Sequence, residues 1–348
     1  MTNETREKSF TMVTIKEIAD RAGVSRTTAG FVLSDRPVVL KASTRERILS
    51  IAHEMGYLPH GYTRSIRSGR FNCLALLTMV DPLGGSLLGP VLSGVYNAAL
   101  AAGQHLSIAM LTREQLENAD RTPRFLRERM SDGLLVDVPQ LPDHLHDMID
   151  QYRVPAVWIN NKLAENAVRP DDHGAACTMT ERMIRLGHRR IAFVDYSVTA
   201  HYSGLDRYSG YVQAMESAGL LPRKIEGRAS LPPEERVKLS RAWLTATDRP
   251  TAVVAEQPWS AEPILCTALE LGLCVPRDLS IATFATRLVE NTGYAITTCQ
   301  IPMYQIGCSA VEMLLKKITD LNSEPPSRLL PFEFLEGETM ASPPLPST

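Results

Sequence analysis

The chain has 348 residues, of which 44% are hydrophobic and 22% are charged, and this is the composition of an ordinary soluble globular protein with two or three domains. It excludes an intrinsically disordered chain, a collagen and a disulfide-stabilised scaffold, and no apolar stretch reaches the roughly 18 residues that cross a bilayer. The net charge of −2 conceals an asymmetry, because residues 1–70 contain 12 basic and 7 acidic side chains whereas the remainder contains 25 and 32; a basic head suited to nucleic acid therefore precedes an acidic body.

The first ten residues, MTNETREKSF, are polar and lack the apolar segment of a secretory signal, so we expect a cytoplasmic protein. The six cysteines are scattered through apolar stretches, without a C-x-x-C pair or a histidine at ligand spacing. This pattern is typical of reduced thiols rather than of a metal site. The sequence therefore predicts neither a metal nor another cofactor.

Two short helices are predicted at the start of the basic head. Thr14 and Glu17 have the spacing of a capping box, and the first helix should follow them and end at Gly23. Ser25 is placed to cap a second helix over residues 26–33. Two short helices joined by a turn that contains glycine form a helix-turn-helix.

The second helix is expected to have a buried and an outer face. The buried side chains should be Ala29, Val32 and Leu33. The residues nearer the outer face should be Arg26, Thr27, Gly30 and Phe31. A third helix should begin at the capping box of residues 43–46 and end at Gly56, which closes a small three-helix core.

Resemblance to the lac-repressor/Gal-repressor family of bacterial transcription regulators is carried first by VTIKEIADRAGVSRTTAGFVLSDRP and TRERILSIAHEMGYLPHGYTRSIRSGR. It continues through VRPDDHGAACTMTERMIRLGHRRIAFV, DRYSGYVQAMESAGL and LGLCVPRDLSIATF, and so covers nearly the whole chain. After a tail of residues 1–11, the resemblance implies a DNA-binding domain at residues 12–59 and a hinge helix at residues 60–70.

In this family the second helix enters the major groove of DNA, so the resemblance implies that Arg26 and Thr27 read base edges. Arg26 can place a bidentate fork on guanine, and the alternative is a solvated arginine or a phosphate contact. The implied DNA-binding residues are Thr14, Ser25, Arg26, Thr27, Thr28, Gly30, Phe31, Tyr57, Arg64, Ile66 and Arg67.

The second helix also departs from the family pattern. Ala29, Gly30 and Phe31 stand where Val-Ser-Arg is usual, so a common DNA-contacting arginine is missing. Phe31 should pack against a thymine methyl or enter the core of the head, and Gly30 should cost the helix about 1 kcal/mol relative to alanine. We therefore expect an unusual operator or weaker direct readout.

The segment HGYTRSIRSGR, residues 60–70, has three arginines and no acid and resembles the family's hinge helix, which orders on DNA. Ile66 falls where the family has a leucine, which implies an apolar wedge in the minor groove from each half of a dimer. The alternatives are a buried contact between Ile66 and the body, and a solvated linker.

The acidic body alternates strand-like segments with helix-like ones. Strand-like runs include CLALLTMV, HLSIAML, DGLLVDV, RRIAFVDY and LSIATFA, and helix-like runs include LSGVYNAALAAG and CTMTERMIRLG. The alternation predicts an α/β fold with doubly wound parallel sheets that carry helices on both faces.

The resemblance implies that this body, residues 71–341, is two-lobed like a periplasmic binding protein, with a ligand cleft between the lobes. The first lobe should comprise residues 71–169 and 298–324, and the second residues 170–297 and 325–341, before a tail at 342–348.

Arg207, in DRYSGY, matches the arginine that binds effector in many members of the family. A guanidinium there can bind sugar hydroxyls, a carboxylate or a phosphate, and the alternative is a salt bridge to Asp206 or Asp172. Two acids that often bind sugar hydroxyls are absent, because Ala285 and Asn160 take their places.

Further departures surround the implied cleft. The family's Asn-Asp pair is replaced by Gln257 and Pro258, and Trp259 beside them should either stack on a sugar or fill core. The implied effector-binding residues are Ser86, Leu87, Asn160, Arg207, Trp259 and Ala285. We expect the effector to be a sugar or a sugar-derived, anionic metabolite.

Two other classes of protein share the predicted body. A nucleotide-dependent enzyme would need G-x-G-x-x-G after the first strand, but from Gly84 the third position is Ser86, and no acid ends the second strand. A transported-solute-binding protein would need export and has no use for a basic head. The sequence thus predicts a non-enzymatic, homodimeric or tetrameric repressor, without a membrane partner, whose binding to double-stranded operator DNA is switched by a small-molecule effector.

Overall fold

The computed structural model describes residues 13–34, 36–57, 69–80, 88–128, 130–196, 201–227 and 231–344. The chain divides into two compact units, a head that ends at Asn72 and a body that begins at Cys73. Of the helices in these ranges, none is both long enough and apolar enough to cross a membrane.

The head contains α1 (Ile15–Ala22), α2 (Arg26–Leu33) and α3 (Ala42–Glu54). The predicted capping box is present at α1, where the Glu17 amide donates to the Thr14 hydroxyl at 3.3 Å and the Thr14 amide donates to Glu17 Oε2 at 2.7 Å. The predicted end of α1 is also confirmed, because Gly23 follows it with a left-handed φ of 64°.

Each helix of the head contributes at least one fully buried side chain to a common core. Ile18 of α1, Ala29 of α2 and Ile48 of α3 have no exposed surface. These helices pack together as one apolar cluster, so the head is the small three-helix core that the periodicity predicts.

Two details of the head differ from the prediction. The helix α3 begins at Ala42 with Lys41 as its N-cap and no side-chain cap, so the capping box expected at Ser43 is wrong because Ser43 already lies inside the first turn. Gly30 was expected nearer the outer face but is buried. Gly30 faces α1, since a Cβ at this position would lie 4.0 Å from Ile15 Cγ2.

The body alternates strands and helices along the chain. Its strands are β1 (Cys73–Met79), β2 (His105–Leu111), β3 (Gly133–Asp137), β4 (Ala156–Ile159), β5 (Ala167–Pro170), β6 (Ile191–Asp195), β7 (Arg223–Glu226), β8 (Ala252–Ala255), β9 (Ser280–Ala285), β10 (Thr297–Gln300), β11 (Arg328–Leu330) and β12 (Glu333–Leu335). Its α-helices are α4 (Leu88–Ala101), α5 (Arg113–Glu117), α6 (Arg124–Arg127), α7 (Asp143–Gln151), α8 (Asp172–Arg185), α9 (Tyr202–Ser217), α10 (Pro233–Leu244), α11 (Pro258–Glu270) and α12 (Met303–Thr319). A short 3₁₀ turn, Ala119–Arg121, lies between α5 and α6.

The strands form two six-stranded sheets, and each sheet is the centre of one lobe. The first sheet has the order β11-β5-β4-β3-β1-β2 and is parallel throughout, and the second has the order β12-β10-β9-β8-β6-β7. In the second sheet β12 alone runs antiparallel, against β10. The predicted α/β fold with parallel sheets is therefore confirmed, and the central strands are buried on both faces because helices cover both.

The chain passes between the two sheets three times: after β5, after β10 and between β11 and β12. The predicted boundaries near residues 297 and 324 differ from this path. Residues 298–300 belong to the second sheet, because Thr298 pairs with Thr283 of β9. Residues 328–330 belong to the first sheet, because Leu329 pairs with Arg169 of β5. The boundaries were implied by the family resemblance, and the sequence of a short strand does not say which sheet the strand joins.

Glycines permit close helix packing in each lobe. In the first lobe, a Cβ at Gly94 of α4 would lie 2.1 Å from the carbonyl oxygen of Tyr304 on α12. In the second lobe, a Cβ at Gly210 of α9 would lie 2.1 Å from the carbonyl oxygen of His173 on α8. At both crossings the two helix backbones touch, which no residue with a side chain would allow.

Candidate functional site

The first turn of α2 presents its polar side chains to solvent. Arg26 and Thr27 are exposed. Ser25 caps the helix, because its hydroxyl accepts from the Thr28 amide at 3.0 Å and lies 2.8 Å from the Thr28 hydroxyl. The first turn of α2 has no acidic residue, so the partial positive charge of the helix N-terminus reinforces that of Arg26. This arrangement suits a polyanion.

The other predicted DNA-binding residues of the head divide by burial. Thr14 is exposed, Phe31 and Tyr57 are half-buried, and Gly30 is buried. Tyr57 packs on the apolar core of the head, which does not include Phe31 among the residues described. Of the two positions expected for Phe31, the structure therefore favours the one outside the core. Arg64, Ile66 and Arg67 lie outside the described residues, as does most of the predicted hinge.

A cavity of about 360 Å³, counting the open solvent at its mouth, lies between the two lobes of the body. The described residues that line it are Asn160, Pro170, Asp172, His201, Ser203, Arg207, Gln257, Ile301 and Met303. Asn160 follows β4, Gln257 follows shortly after β8 and Ile301 follows β10. The cavity is thus at the carboxyl ends of parallel strands, the usual position for a ligand in sheets of this kind.

The guanidinium of Arg207 is held between two carboxylates at the wall of this cavity. Its Nε donates to Asp172 Oδ1 at 2.8 Å, and its Nη1 donates to Glu256 Oε1 and to the Glu256 carbonyl, both at 3.0 Å. It lies 4.7 Å from the ring centroid of Phe284. Both readings of Arg207 therefore apply in part: it lines the cavity, and it is ion-paired with Asp172.

Burial determines the ionisation of this cluster. Arg207, Asp172 and Glu256 are 4%, 0% and 1% exposed. Burial raises the pKa of Asp172 and raises the pKa of Glu256 to about 7, although Arg207 acts in the opposite direction on both. Burial disfavours the charged form of Arg207, but the two carboxylates outweigh it and raise the pKa of Arg207. Arg207 is thus a permanent cation, and Glu256 changes charge near neutral pH.

Asp206, the other acid expected to pair with Arg207, points to the first lobe instead. Asp206 on α9 accepts from Lys162 Nζ at 2.6 Å and lies 3.7 Å from Arg169 Nη1. Beside this pair the Tyr202 hydroxyl, also on α9, donates to Asn160 Oδ1 at 2.9 Å. Since Asn160, Lys162 and Arg169 belong to the first lobe, these contacts join the two lobes next to the cavity.

Two of the remaining predicted effector residues, Ala285 and Trp259, do not line the cavity. Ala285 ends β9, is 9% exposed, and its carbonyl accepts from the Ile301 amide at 2.8 Å. Trp259 is 36% exposed in the first turn of α11, so it does not fill core. Neither is among the described lining residues. Ser86 and Leu87 lie outside the described residues.

Sequence reasoning missed several residues of the site, of which Glu256 and His201 have ionisable side chains. Glu256 directly follows the buried strand β8, and an acid in that position was a usable signal. His201 lines the cavity and caps α9, where its Nδ1 accepts from the Ser203 amide at 3.3 Å. Burial lowers the pKa of His201, so the imidazole is neutral at neutral pH. No signal in the sequence marks His201.

Comparison with known proteins matches both units. Residues 14–60 match the model of bacterial regulatory proteins of the lacI family, and residues 180–340 match that of a periplasmic binding protein-like domain. The HTH-type transcriptional repressor PurR of Proteus mirabilis is 29% identical over 325 residues, 89% of this chain and 91% of that protein.

Solved structures agree with this fold over most of the chain. The lac repressor dimer bound to operator and the anti-inducer ONPF has a TM-score of 0.79 at 18% identity, over 95% of this chain and 100% of that one. A LacI family transcriptional regulator from Mycobacterium smegmatis has a TM-score of 0.60 at 28% identity, over 78% of this chain and 100% of that one.

Proposed function

We propose that this chain, a member of the lacI family of bacterial regulatory proteins, is a transcriptional repressor. A small-molecule effector switches its binding to the operator DNA. One observation carries this proposal. A helix-turn-helix with an exposed Arg26 is joined in one chain to a two-lobed body with a cavity between its lobes. The first unit suits DNA and the second suits a small ligand, and a switch needs both. The repressor would act in the cytoplasm, and the proposal includes no enzymatic step.

In the DNA-bound state we assign α2 to the major groove. Arg26 and Thr27 then face base edges, and a bidentate contact from Arg26 to guanine discriminates by about 1–3 kcal/mol. The hydroxyls of Ser25 and Thr28 hold the first turn of the helix in shape. Phe31, outside the core of the head, is assigned to the methyl group of a thymine. We keep residues 60–70 as the proposed hinge, with Ile66 as its minor-groove wedge.

We propose that the working form is a homodimer, because two-fold symmetry lets two heads bind the two halves of a palindromic operator. Apolar side chains in the first lobe support this. Tyr96 and Leu100 are 53% and 60% exposed one turn apart on α4, and Ile108 and Met110 are 44% and 48% exposed on one face of the edge strand β2. The partly buried Leu106 on that face packs on the cluster that contains the buried face of α4. A cluster of exposed apolar side chains is typical of an interaction surface, and we assign this one to the interface with a second copy of the chain.

The switch is assigned to the contacts that join the lobes beside the cavity. A ligand changes the balance between two lobe angles only by the difference in its affinity for them, and such couplings are typically about 1–3 kcal/mol. The ion pair of Lys162 with Asp206 and the bond of Tyr202 to Asn160 would have to stretch or break if the lobes opened. A ligand that touches Asn160 and Arg207 together would favour the closed angle.

The test is binding of the full-length protein to the DNA upstream of its own gene and of the adjacent genes, measured by fluorescence anisotropy at several salt concentrations. We expect one fragment to bind far more tightly than a scrambled fragment, with log K falling linearly as log salt rises. Equal, salt-independent binding to all fragments, or no binding, would overturn the proposal. The variant Arg26→Ala should lose preference for the bound fragment, and Arg21→Ala, which changes an exposed arginine of α1, serves as its control.

A further inference from the structure

The carboxylates around Arg207 have acceptor capacity that the protein leaves unused. Asp172 Oδ1 and Glu256 Oε1 accept from the guanidinium, but Asp172 Oδ2 and Glu256 Oε2 are buried and have no hydrogen-bond partner among the residues that the structure describes. A buried carboxylate oxygen without a donor costs free energy, on the order of 1–3 kcal/mol or more. Asp172 lines the cavity, so a donor on a bound molecule would satisfy its free oxygen.

The other cations near the cluster face Asp206 rather than Glu256. Asp195 on β6 adds another negative group near Glu256. Arg169 lowers the pKa of Asp172, but it lies 3.7 Å from Asp206, which also pairs with Lys162. Burial raises the pKa of Cys299, on β10, to about 12, so that thiol is neutral. His201 is neutral as well. Two buried acids therefore share one guanidinium.

We propose that the cleft selects a ligand that offers hydrogen-bond donors, hydroxyl or ammonium, to Asp172 and brings no anionic group, and that Glu256 enforces this by occupying Arg207. The Arg207 guanidinium is already ion-paired with the carboxylates of Asp172 and Glu256. An anionic ligand at Arg207 would add a third negative charge, in a site where water screens charge poorly. Glu256 is not among the described lining residues, so it is a positioning residue that acts through Arg207. The inference rests on the proposed function, in which this cleft is the effector site, and it rejects the anionic part of the expectation drawn from the sequence.

Sulfate is a suitable probe, because it is a dianion that does not titrate between pH 6 and 8. Equilibrium dialysis with radiolabelled sulfate at constant ionic strength would be run on the full-length wild type and on Glu256→Gln, Glu256→Asp and Glu270→Gln. Glu270 is exposed on α11 and pairs with Arg241, so its variant removes one carboxylate from the surface. All four proteins have the same basic head, so any sulfate bound there cancels in the comparison and the difference reports on the cleft.

We expect Glu256→Gln to bind one additional sulfate at least tenfold more tightly than the wild type at pH 8, while Glu256→Asp and Glu270→Gln bind like the wild type. Because Glu256 gains a proton between pH 8 and pH 6, the wild type should gain several-fold in sulfate affinity over that interval. Glu256→Gln should keep only the small pH dependence that His201 supplies. Equal sulfate binding by the wild type and Glu256→Gln, or the same pH dependence in both, would overturn the inference.

Glucose and glucosamine distinguish the two kinds of donor, because glucosamine has an ammonium group where glucose has a hydroxyl. Protection of the wild type from thermal unfolding by either sugar, and loss of that protection in Asp172→Asn, supports the inference and identifies the donor. Equal protection of the wild type and Asp172→Asn, or protection by neither sugar, would overturn the assignment of Asp172 as the acceptor for the ligand. DNA binding by the same wild-type preparation is measured separately, so a repressor without the charge selectivity is distinguishable from a protein that is not a repressor.

Discussion

Replacement of Arg207 by methionine should destabilise the body strongly, and more at high pH than at low pH. Arg207 is 4% exposed and, among the residues described, it is the one cation that forms ion pairs with both Asp172 and Glu256. Removal of one partner of a buried ion pair costs about 3–5 kcal/mol, because it leaves buried charge uncompensated. We therefore expect Arg207→Met to lower the free energy of unfolding by about that amount at pH 8.

At pH 5 the loss should be smaller. Burial raises the pKa of Asp172 and the pKa of Glu256, the latter to about 7, and loss of the guanidinium raises both further. The two carboxyls of the folded variant therefore bind protons more readily than those of the wild type, and less of their charge remains at pH 5 than at pH 8. The folded variant then binds more protons than the folded wild type. For each such extra proton, the free energy of unfolding of the variant, relative to that of the wild type, falls by about 1.4 kcal/mol per pH unit as the pH rises.

The assay is urea unfolding at pH 5 and pH 8, followed by tryptophan fluorescence. The three tryptophans, Trp158, Trp243 and Trp259, all lie in the body, so the signal reports on that unit. Arg241→Met is the matched control, since Arg241 is half-exposed and pairs with Glu270 on the surface; it should cost under about 1 kcal/mol. A loss below about 1 kcal/mol for Arg207→Met, or an equal loss at both pH values, would refute the assignment of Arg207 as counterion to the two acids.

Three further substitutions test other parts of the chain. Arg26→Ala should cost about 1–3 kcal/mol of binding to the operator and relax the preference for one base pair, as competition with single-base operator variants would measure; equal weakening on all sequences would make Arg26 a phosphate contact. Gly30→Ala should stabilise α2 by up to about 1 kcal/mol, measured by slower hydrogen exchange of its amides, because among the described residues the new methyl group meets only Ile15, at 4.0 Å; faster exchange of these amides would contradict this. Gly210→Ala should lower the free energy of unfolding by about 2 kcal/mol or more because its methyl group would lie 2.1 Å from a carbonyl oxygen of α8, whereas Gly89→Ala, whose methyl group would meet no described atom within 4 Å, should not lower the urea midpoint.

Local signals in the sequence were sufficient for most of the fold. Thr14, Ser25 and Gly23 mark helix ends through bonds to residues no more than five positions away, so their effect is visible in the sequence. The β strands of the body are apolar runs because helices cover both faces of each sheet. The third helix was placed less well, since Ser43 has the right spacing for a cap but the chain is already helical at Ala42.

The sequence by itself determined the head, the alternation of strands and helices, and the family, because each depends on residues close together in the chain or on a pattern shared with relatives. Only the tertiary structure decided the charge of the cleft. Asp172 and Glu256 lie 35 and 49 positions from Arg207, on separate elements that the sheet brings together. Sequence reasoning counted Ala285 and Asn160 as lost acids and expected a cleft open to anions, whereas folding places Glu256 beside Arg207 and restores a negative charge there. Burial sets how strongly that charge acts, and burial is a property of the packed fold.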